Sequence, residues 1–564
     1  MRTQGIFYSG KGTVYDCELD KCPKCNGQMR VAYTSKYKTV QSMEEVAMIA
    51  QRAKRCANPY CDLSSKIWGS AEWGQIAPVS CTYGYDVIAQ IGWQRQTKQQ
   101  TFTDIHTDLR HRLRISASQV RALYHYRYLP LLACHERAQL DQLKIVADQV
   151  GLLLSLDGLA PEGGEPQLWL VRELLSGATL RCGWMSQQNQ AAFVHFLQPI
   201  ADLGLRVTAV MSDKQSGLLS AVAEVFPQSR HAFCQSHYLR NIAIPVAEAD
   251  EAMKVRLRQN VRAAIGQHIR QEAAVEEGVL TITGVIPSPL EASAKISDHV
   301  FAEKEELLRD SILRDISRRI RYLLTLKGRP PFRLAGIEMF LGLSEVKECL
   351  ERLMLHHATP QLWILHHGLQ TSLQSAQVTY SILREAADWL ENIAMILDPE
   401  HTPDRSGEQV RHDLFAYLAK VQSGRFRDPM LRNSFRSILK TTRSYAPGLF
   451  HSYDIPNLPR TNNERENDFR ALRRRLLRTT GQKGLSLRII QRQGAWELLP
   501  RPATLNETIR IVSHIHPDKF QKERLRVLQH RSRFRLHTRS PKLANCQLGQ
   551  LEQLWSSIPK RGSP

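Results

Sequence analysis

Two short apolar runs that each carry an aspartate at the end constrain the fold of this chain more than any other feature. GLLLSLDG contains Asp157, and RVTAVMSD ends in Asp213. Such runs are typical of strands buried on both faces of a sheet. The sequence around them predicts two further strands (QLWLVREL and GATLRCGWM), helices over 190–203 and 216–226, and a strand over 230–234. This order of elements predicts a mixed α/β sheet.

The two aspartates are candidates for one site because the ends of neighbouring strands meet at the same edge of a sheet. Each also has a purely structural interpretation. Asp157-Gly158 is a good turn dipeptide, and Asp213 is well placed to cap the helix that follows. Together, at matching strand ends, they favour a site for a divalent metal, which prefers carboxylate oxygens.

The charge of the chain indicates its partner. The formal net charge is +21 and the isoelectric point is about 9.6. A chain this basic is expected to bind a polyanion, of which nucleic acid is the commonest. With 564 residues, it is expected to form several domains. Neither a membrane span nor a secretion signal is predicted, so we expect a cytoplasmic protein with no membrane partner.

Four cysteines near the start of the sequence predict a structural zinc site. They form two close pairs, Cys22 with Cys25 and Cys56 with Cys61. Four thiolates can bind one tetrahedral zinc ion and leave no position open for catalysis. The second pair has an unusual CxxxxC spacing, so Cys17 is a possible substitute ligand and incidental thiols remain an alternative. Such a segment would help to hold DNA.

Two short helical stretches follow, FTDIHTDLRHR over 102–112 and ASQVRALYHYRYL over 117–129. Ser116 suits an N-cap of the second helix. Two short helices with a tight turn resemble a helix-turn-helix, whose second helix enters the major groove. The candidate groove-facing residues are Gln119, Arg121 and His125. An ordinary helical hairpin packed on a core is nearly as good an explanation.

Residues 241–454 are predicted to be almost entirely helical, and a very basic helix follows Thr461. Its first turns contain Glu466, the best candidate for a third carboxylate, although Asn463-x-x-Glu466 also fits a capping box and Glu464 and Asp468 compete with it. The arginines after Glu466 would clamp DNA phosphates. They are Arg470, Arg473, Arg474 and Arg475.

The ordered set LSLDG, VMSDKQSGLLSAVAEVFP, HAFCQSHYLRN and PRTNNERE resembles the RNase H-like DDE transposases of bacterial insertion sequences, with closest similarity to the Mutator-like group. The resemblance covers roughly residues 151–484. It implies the catalytic triad Asp157, Asp213 and Glu466. It also implies a set of site-adjacent residues, which are Cys234, His237, Asn462 and Asn463. A buried thiol with a hydrogen-bonded histidine is the better interpretation of Cys234 and His237 than half of a zinc site.

The resemblance implies an enzyme that cleaves element-end DNA and transfers the strand with two Mg²⁺ or Mn²⁺ ions. The expected DNA partners are terminal inverted repeats and target duplex, paired by a homodimer or larger assembly in the bacterial nucleoid. Alternatives are a transposase-derived DNA-binding protein that no longer cleaves, or another RNase H-like nuclease. Trp363 and Trp389 are possible base-stacking groups in the helical insertion, but core packing is the better interpretation of both.

The predicted fold is an RNase H-like α/β core interrupted by a large all-helical insertion, with zinc-ribbon-like and helix-turn-helix segments before it. The predicted domains are a zinc-ribbon-like segment (1–75), a helical DNA-binding domain (84–148), the first part of the core (151–240), the helical insertion (241–455), the last part of the core (456–500) and a basic tail (501–564).

Overall fold

The computed structural model describes residues 12–557, except 139, 160–166, 284–300, 332, 399, 401–403, 425, 482–503 and 533–539. The chain divides into two compact units. The first unit contains Met1–Ser229 and Asn462–Pro564, and the second contains Arg230–Thr461. No described helix combines the length and the apolar character needed to cross a bilayer.

The first unit begins with a small sheet built around one long strand. Its strands are β1 (Thr13–Asp16), β2 (Met29–Thr34), β3 (Lys38–Gln41), β4 (Val46–Cys56) and β5 (Ile67–Trp68). Strand β4 pairs parallel with β1 and antiparallel with β2, β3 and β5. This arrangement brings Cys56, at the end of β4, next to the loop that joins β1 and β2. Helix α1 (Ala71–Ile76) follows.

A helical region comes next, and two of its helices begin at capping boxes, one of them at the predicted cap Ser116. The helices are α2 (Tyr85–Gln96), α3 (Phe102–Leu109), α4 (Ala117–Leu123), α5 (Leu129–Ala138) and α6 (Leu140–Gln149). Capping boxes at Thr101 and Ser116 start α3 and α4. The second predicted helix is interrupted by a π-helical turn over Tyr124–Tyr128. Pro130 explains the turn, because its ring lacks an N–H and would clash with the carbonyl four residues earlier in a regular helix.

The central sheet contains the two predicted apolar runs. Its elements are β6 (Leu152–Leu159), β7 (Gln167–Glu173), β8 (Thr179–Met185), α7 (Gln190–Ala201), β9 (Val207–Ser212) and α8 (Ser216–Val225). The strands hydrogen-bond in the order β9-β6-β7-β8. Strand β7 is antiparallel to β6 and to β8, and β9 is parallel to β6. The predicted mixed α/β sheet is therefore confirmed.

The second unit is helical after its first strand, as predicted. Its elements are β10 (Arg230–Phe233), α9 (Gln235–Thr283), α10 (Phe301–Leu323), α11 (Ala335–His356), α12 (Pro360–Ile396), α13 (Gly407–Ser423), α14 (Pro429–Leu449) and α15 (His451–Asp454). Trp389 packs against Phe426 and Phe435 in the core. Trp363 differs from this expectation, because it is 55% exposed and stacks on His367.

The chain then returns to the first unit. Helix α16 (Asn463–Thr480) is followed by α17 (Leu505–Ser513), α18 (Pro517–Ser532) and α19 (Pro541–Ser556). Val512 of α17 and Phe520 of α18 are buried in the same hydrophobic core as Ile88, Leu123 and Tyr124. The predicted division of 501–564 as a separate basic tail therefore does not match this packing, because apolar side chains of α17 and α18 complete the core of the N-terminal helical region.

Candidate active site

Asp157 and Asp213 occupy equivalent positions on adjacent parallel strands. Ser155 of β6 is the register partner of Met211 of β9, and each aspartate lies two residues further along. Neighbouring strands are about 4.8 Å apart, so this register brings the two aspartate positions to the same end of the sheet. Both residues are half-buried. The matching strand ends inferred from the sequence are thus observed, with Asp213 directly after β9 and Asp157 two residues before the end of β6.

The structural alternatives for the two aspartates do not fit this geometry. Asp157 and Gly158 both lie within β6, so they do not form a turn. A Cβ atom at Gly158 would come within 2.8 Å of the Trp169 ring, which explains the glycine by close packing. The N-cap of α8 is Gln215 and not Asp213.

Asn462 fastens the start of α16 to strand β6, beside Asp157. Its Nδ2 donates to the Leu156 carbonyl oxygen at 2.8 Å, and its Oδ1 accepts from Ser155 Oγ at 2.5 Å. The side chain is 4% exposed. Although Asn462 is the N-cap residue of α16, its side chain makes no capping hydrogen bond. The amide is therefore used to attach the helix to the sheet.

Helix α16 covers the face of the sheet on which Ser155 lies. Phe469, Leu472 and Leu476 of α16 pack with three buried leucines of β6 and β7, which are Leu159, Leu168 and Leu170. Since side chains alternate along a strand, Ser155, Asp157 and Leu159 share this face of β6. The side chains of Glu464, Glu466 and Asp468 lie outside the described part of the structure. The choice among these three residues as the third carboxylate therefore depends on their positions around the helix axis.

The basic residues of α16 differ in exposure. Arg470, Arg473 and Arg474 are exposed, and Arg470 Nη1 donates to Asn467 Oδ1 at 3.2 Å. Arg475 is only 7% exposed. The expectation that Arg475 contacts DNA therefore does not fit, because the packing of α16 on the sheet buries it. Asn463 is exposed.

Cys234 and His237 lie in the second unit, at the junction of β10 and α9. Cys234 is fully buried and His237 half-buried. Within the described residues, no metal-binding group includes either of them. Gln235, which lies between them, is buried and hydrogen-bonded. Its backbone N–H donates to the Arg460 carbonyl oxygen at 2.9 Å, and its Nε2 donates to the Leu449 carbonyl oxygen at 3.2 Å. These bonds tie the junction to the segment that precedes Asn462 in sequence.

The three residues predicted to face the major groove are placed differently. Arg121 is exposed, with its guanidinium 5.5 Å from the centre of the Phe102 ring. The Gln119 side chain accepts from the Ser116 N–H in the capping box. His125 is 4% exposed, and burial, followed by the charge of Arg531, holds its pKa well below the usual value. His125 is therefore a core residue, because the π-helical turn directs it inward.

The four predicted zinc ligands form a compact cluster. The Sγ atoms of Cys22, Cys25, Cys56 and Cys61 all lie within 4.8 Å of one another. The Cys25–Cys56 distance is 3.5 Å and the Cys22–Cys61 distance is 3.8 Å. A tetrahedral site with Zn–S bonds of about 2.3 Å requires Sγ separations of about 3.8 Å. The cluster therefore has the ligand set and spacing of a zinc site, and Cys17 is not part of it.

Backbone donors favour the thiolate form of Cys22, whereas the pKa values of Cys56 and Cys61 are raised. The N–H groups of Cys25 and Lys24 hydrogen-bond Cys22 and lower the pKa of its thiol to about 6. At Cys56, burial raises the pKa to about 12 despite the hydrogen bond from the Asn58 N–H. Because zinc binds thiolate, a bound cation would offset this cost of burial. The backbone N–H donors at Cys22 and the burial of the Cys56 sulfur are both expected for a cluster that binds a metal ion.

Comparison with known proteins supports a transposase. Residues 171–241 match the family profile described as MULE transposase domain. This segment includes Asp213, Cys234 and His237. No curated protein matches the chain. Among solved structures, the chain is similar to one described as Drosophila P element transposase strand transfer complex, with 11% identity over 78% of this chain and 94% of that one. The TM-score of 0.27 does not show a shared fold.

Proposed function

We propose that this protein is a DDE transposase that cleaves element-end DNA and transfers the freed strand, with Asp157, Asp213 and Glu466 as its catalytic carboxylates. The observation that carries the proposal is the parallel pairing of Ser155 with Met211, two residues before Asp157 and Asp213, together with the attachment of α16 through Asn462. The transposase family match to residues 171–241 supports the same class.

The central sheet is proposed to be an RNase H-like core. Three consecutive antiparallel strands, β6 to β8, are followed by a helix and by β9, which pairs parallel with β6 on its other side. A long helical segment then separates β9 from α16 in sequence. In such a core, the resemblance implies one carboxylate on the first strand, one after the fourth strand and one on a late helix, and the positions of Asp157, Asp213 and Glu466 along the chain support this proposal.

Glu466 is the best candidate for the third carboxylate by helical position. At about 100° per residue, position 466 lies roughly 60° from Phe469 and 40° from Asn462 around the helix axis. Both of these residues face the sheet. Positions 468 and 464 lie about 100° and 140° from Phe469 by the same measure. Glu466 is thus the acidic position of this turn nearest to the face that carries Asp157.

The donor set fits hard divalent cations. Asp157, Asp213 and Glu466 would together hold two Mg²⁺ or Mn²⁺ ions. Bound there, the ions would supply activation of a water or a 3′-hydroxyl and neutralisation of charge on the phosphate. The chain's own contribution is to position these carboxylates on β6, β9 and α16. Exposed Arg470, Arg473 and Arg474 would contact DNA phosphates.

The N-terminal region is proposed to bind the element ends. The cysteine cluster would hold a structural zinc ion, and exposed Arg121 would contact DNA near α4. Pairing of two ends requires two DNA-bound chains, so a homodimer or larger assembly is proposed, acting at the nucleoid of a bacterial host. Gln119 would reach DNA only if its capping bond to Ser116 were released.

An excision assay tests the proposal. The gene with its native flanks is placed on a plasmid, and empty-donor products are compared between the wild type and Asp157→Asn, Asp213→Asn and Glu466→Gln. Glu464→Gln and Asp468→Asn are matched controls, since they remove the same charge from the same turn. We expect product from the wild type and both controls only.

Each other outcome corrects a specific part of the proposal. Excision by Asp213→Asn would refute the catalytic assignment. Loss with Glu464→Gln and not with Glu466→Gln would move the third carboxylate. A wild type that binds DNA without excising it would indicate a DNA-binding derivative, and cleavage of RNA–DNA hybrids alone would indicate another nuclease.

A further inference from the structure

Helix α14 (Pro429–Leu449) carries its charge on one side only. The helix contains no acidic residue, and Asp428 caps its start. Its basic residues recur at intervals of four, four and three, which places them along one face. They are Arg432, Arg436, Lys440 and Arg443, and all four are exposed. Of the long helices described in the second unit, α14 alone lacks an acidic residue.

The opposite face of α14 is fixed in the core of the second unit. Leu431, Phe435 and Ile438 are buried there. Thr442 Oγ1 shares a hydrogen bond of 2.8 Å with Tyr238 OH, and Tyr445 OH accepts from Asn241 Nδ2 at 2.8 Å. The helix cannot rotate about its axis without breaking these contacts. The basic face is therefore presented rigidly to solvent.

The charge of this face is not neutralised within the described part of the second unit. None of its four basic residues forms an ion pair there, although Arg432 donates to the Phe426 carbonyl oxygen. Four other basic residues of the unit, two exposed and two half-buried, have acidic partners: Arg319 with Glu345, Arg333 with Glu338, Lys347 with Glu351 and Arg384 with Asp388. Other exposed basic residues of the unit, such as Arg262 and Arg352, also have no ion pair among the described residues, but α14 combines four such cations on one face of a helix that has no acidic residue.

We propose that this face of α14 binds the phosphate backbone of duplex DNA, a proposal that rests on the DNA transposase function. Arg432 and Arg443 are eleven residues apart, which corresponds to about 16 Å along the helix. One DNA strand carries a phosphate every 3.4 Å or so of duplex axis, so the four cations are spread over roughly five phosphates.

The uncharged residues between these cations also favour DNA over an acidic protein. Asn433 is exposed and supplies a further hydrogen-bond donor. Phosphate contacts in protein–DNA complexes come from residues of this kind. Stable protein–protein interfaces instead depend on buried aromatic or large apolar anchors, and the exposed face of α14 offers none. The contact would position DNA without reading its sequence.

The test is the salt dependence of binding to a mixed-sequence DNA duplex, measured by fluorescence anisotropy with the full-length protein. The variant combines Arg432→Gln, Arg436→Gln, Lys440→Gln and Arg443→Gln. Four lost phosphate contacts should make the slope of log K against log salt shallower by about 3 to 4. Between about 50 and 200 mM salt, the wild type should therefore lose roughly 100-fold more affinity than the variant.

The control makes the same charge change where acidic partners already compensate it, by combining Arg319→Gln, Arg333→Gln, Lys347→Gln and Arg384→Gln. We expect the wild-type slope from the control. Equal slopes for the α14 variant and the wild type would overturn the proposal. A wild type with no affinity for duplex DNA at low salt would instead overturn the DNA-binding function itself.

A cross-linking measurement covers the case in which the fourfold variant fails to fold. The photoreactive amino acid p-benzoylphenylalanine is introduced at position 440 and, separately, at position 333. Cross-linking to duplex DNA from position 440 and not from position 333 would support the proposal. Equal cross-linking from both positions, or none from position 440, would contradict it.

Discussion

Replacing Asn462 by alanine should detach the start of α16 from strand β6. The substitution removes the donor to the Leu156 carbonyl and the acceptor for Ser155 Oγ, both in a buried setting. A buried hydrogen bond contributes about 1 kcal/mol net, and a buried group left unsatisfied costs about 1–3 kcal/mol. We therefore expect the first turns of α16 to open with a free energy lower by about 2 kcal/mol.

A decrease of about 2 kcal/mol in this free energy of opening makes the population with the start of α16 open about thirtyfold larger. Hydrogen exchange measured by mass spectrometry reports such local opening. Peptides from the start of α16 should exchange about thirtyfold faster, whereas peptides from α14 should not change. The Phe469, Leu472 and Leu476 contacts remain, so the helix should not unfold globally.

The rate of excision should change by a larger factor than the open population of α16. Position 466 lies one turn after Asn462, so its carboxylate would no longer be held near Asp157. A misplacement of about 1 Å in an active site can lower the rate about 100-fold. DNA binding should stay near the wild-type value, because Arg470, Arg473 and Arg474 remain exposed.

Asn463→Ala is the matched control, since Asn463 is the exposed neighbour in the same motif. Ser155→Ala should give part of the Asn462→Ala effect, and combining the two should add little, because they share one hydrogen bond. If exchange and excision were alike in Asn462→Ala and Asn463→Ala, the attachment of α16 through Asn462 would be refuted.

Two further substitutions test the rest of the first unit. Cys56→Ser should lower the zinc content from one ion per chain, because it removes one of four clustered thiolates; elemental mass spectrometry of the purified protein measures this. Cys81→Ser is the control, since it removes a buried thiol outside the cluster and should leave the zinc content unchanged. Equal zinc content in the two variants would contradict the site. Phe520→Ala should destabilise the N-terminal helical region by about 3–5 kcal/mol, because it leaves a cavity in the shared core. Thermal unfolding against the exposed control Leu525→Ala checks this, and equal melting temperatures would show that α18 does not complete that core.

The elements of the central sheet could be predicted from the sequence because their signals are local. Apolar runs such as LLLSL and VTAVM identify buried strands, and the helical periodicity between them identifies α7 and α8. The polar signals at Thr101 and Ser116 likewise act within one turn, and both capping boxes are present. The π-helical turn before α5 had a local cause in Pro130, but its place in the helix depends on packing.

What could not be predicted depends on partners far apart in the sequence. Residues 501–564 were predicted to be a basic tail because the segment after Pro517 is rich in Lys and Arg, yet Val512 and Phe520 belong to the core formed by α2 to α5. His125 and Arg475 suggested DNA contacts through their chemistry alone. Their burial is set by tertiary packing of the π-helical turn and of α16, which residue type does not reveal.

Asn462 illustrates why a motif does not by itself define a site. The sequence suggested a local capping box between Asn463 and Glu466, an interaction within four residues, and no role for Asn462 outside this motif. In the structure the side chain of Asn462 reaches strand β6, more than three hundred residues earlier in sequence, and makes no capping bond. An amide suits this position because it donates to a backbone carbonyl and accepts from a serine at once, whereas aspartate could not donate. The motif therefore determines where α16 begins on the sheet, and the position of Glu466, one turn later, follows from this attachment.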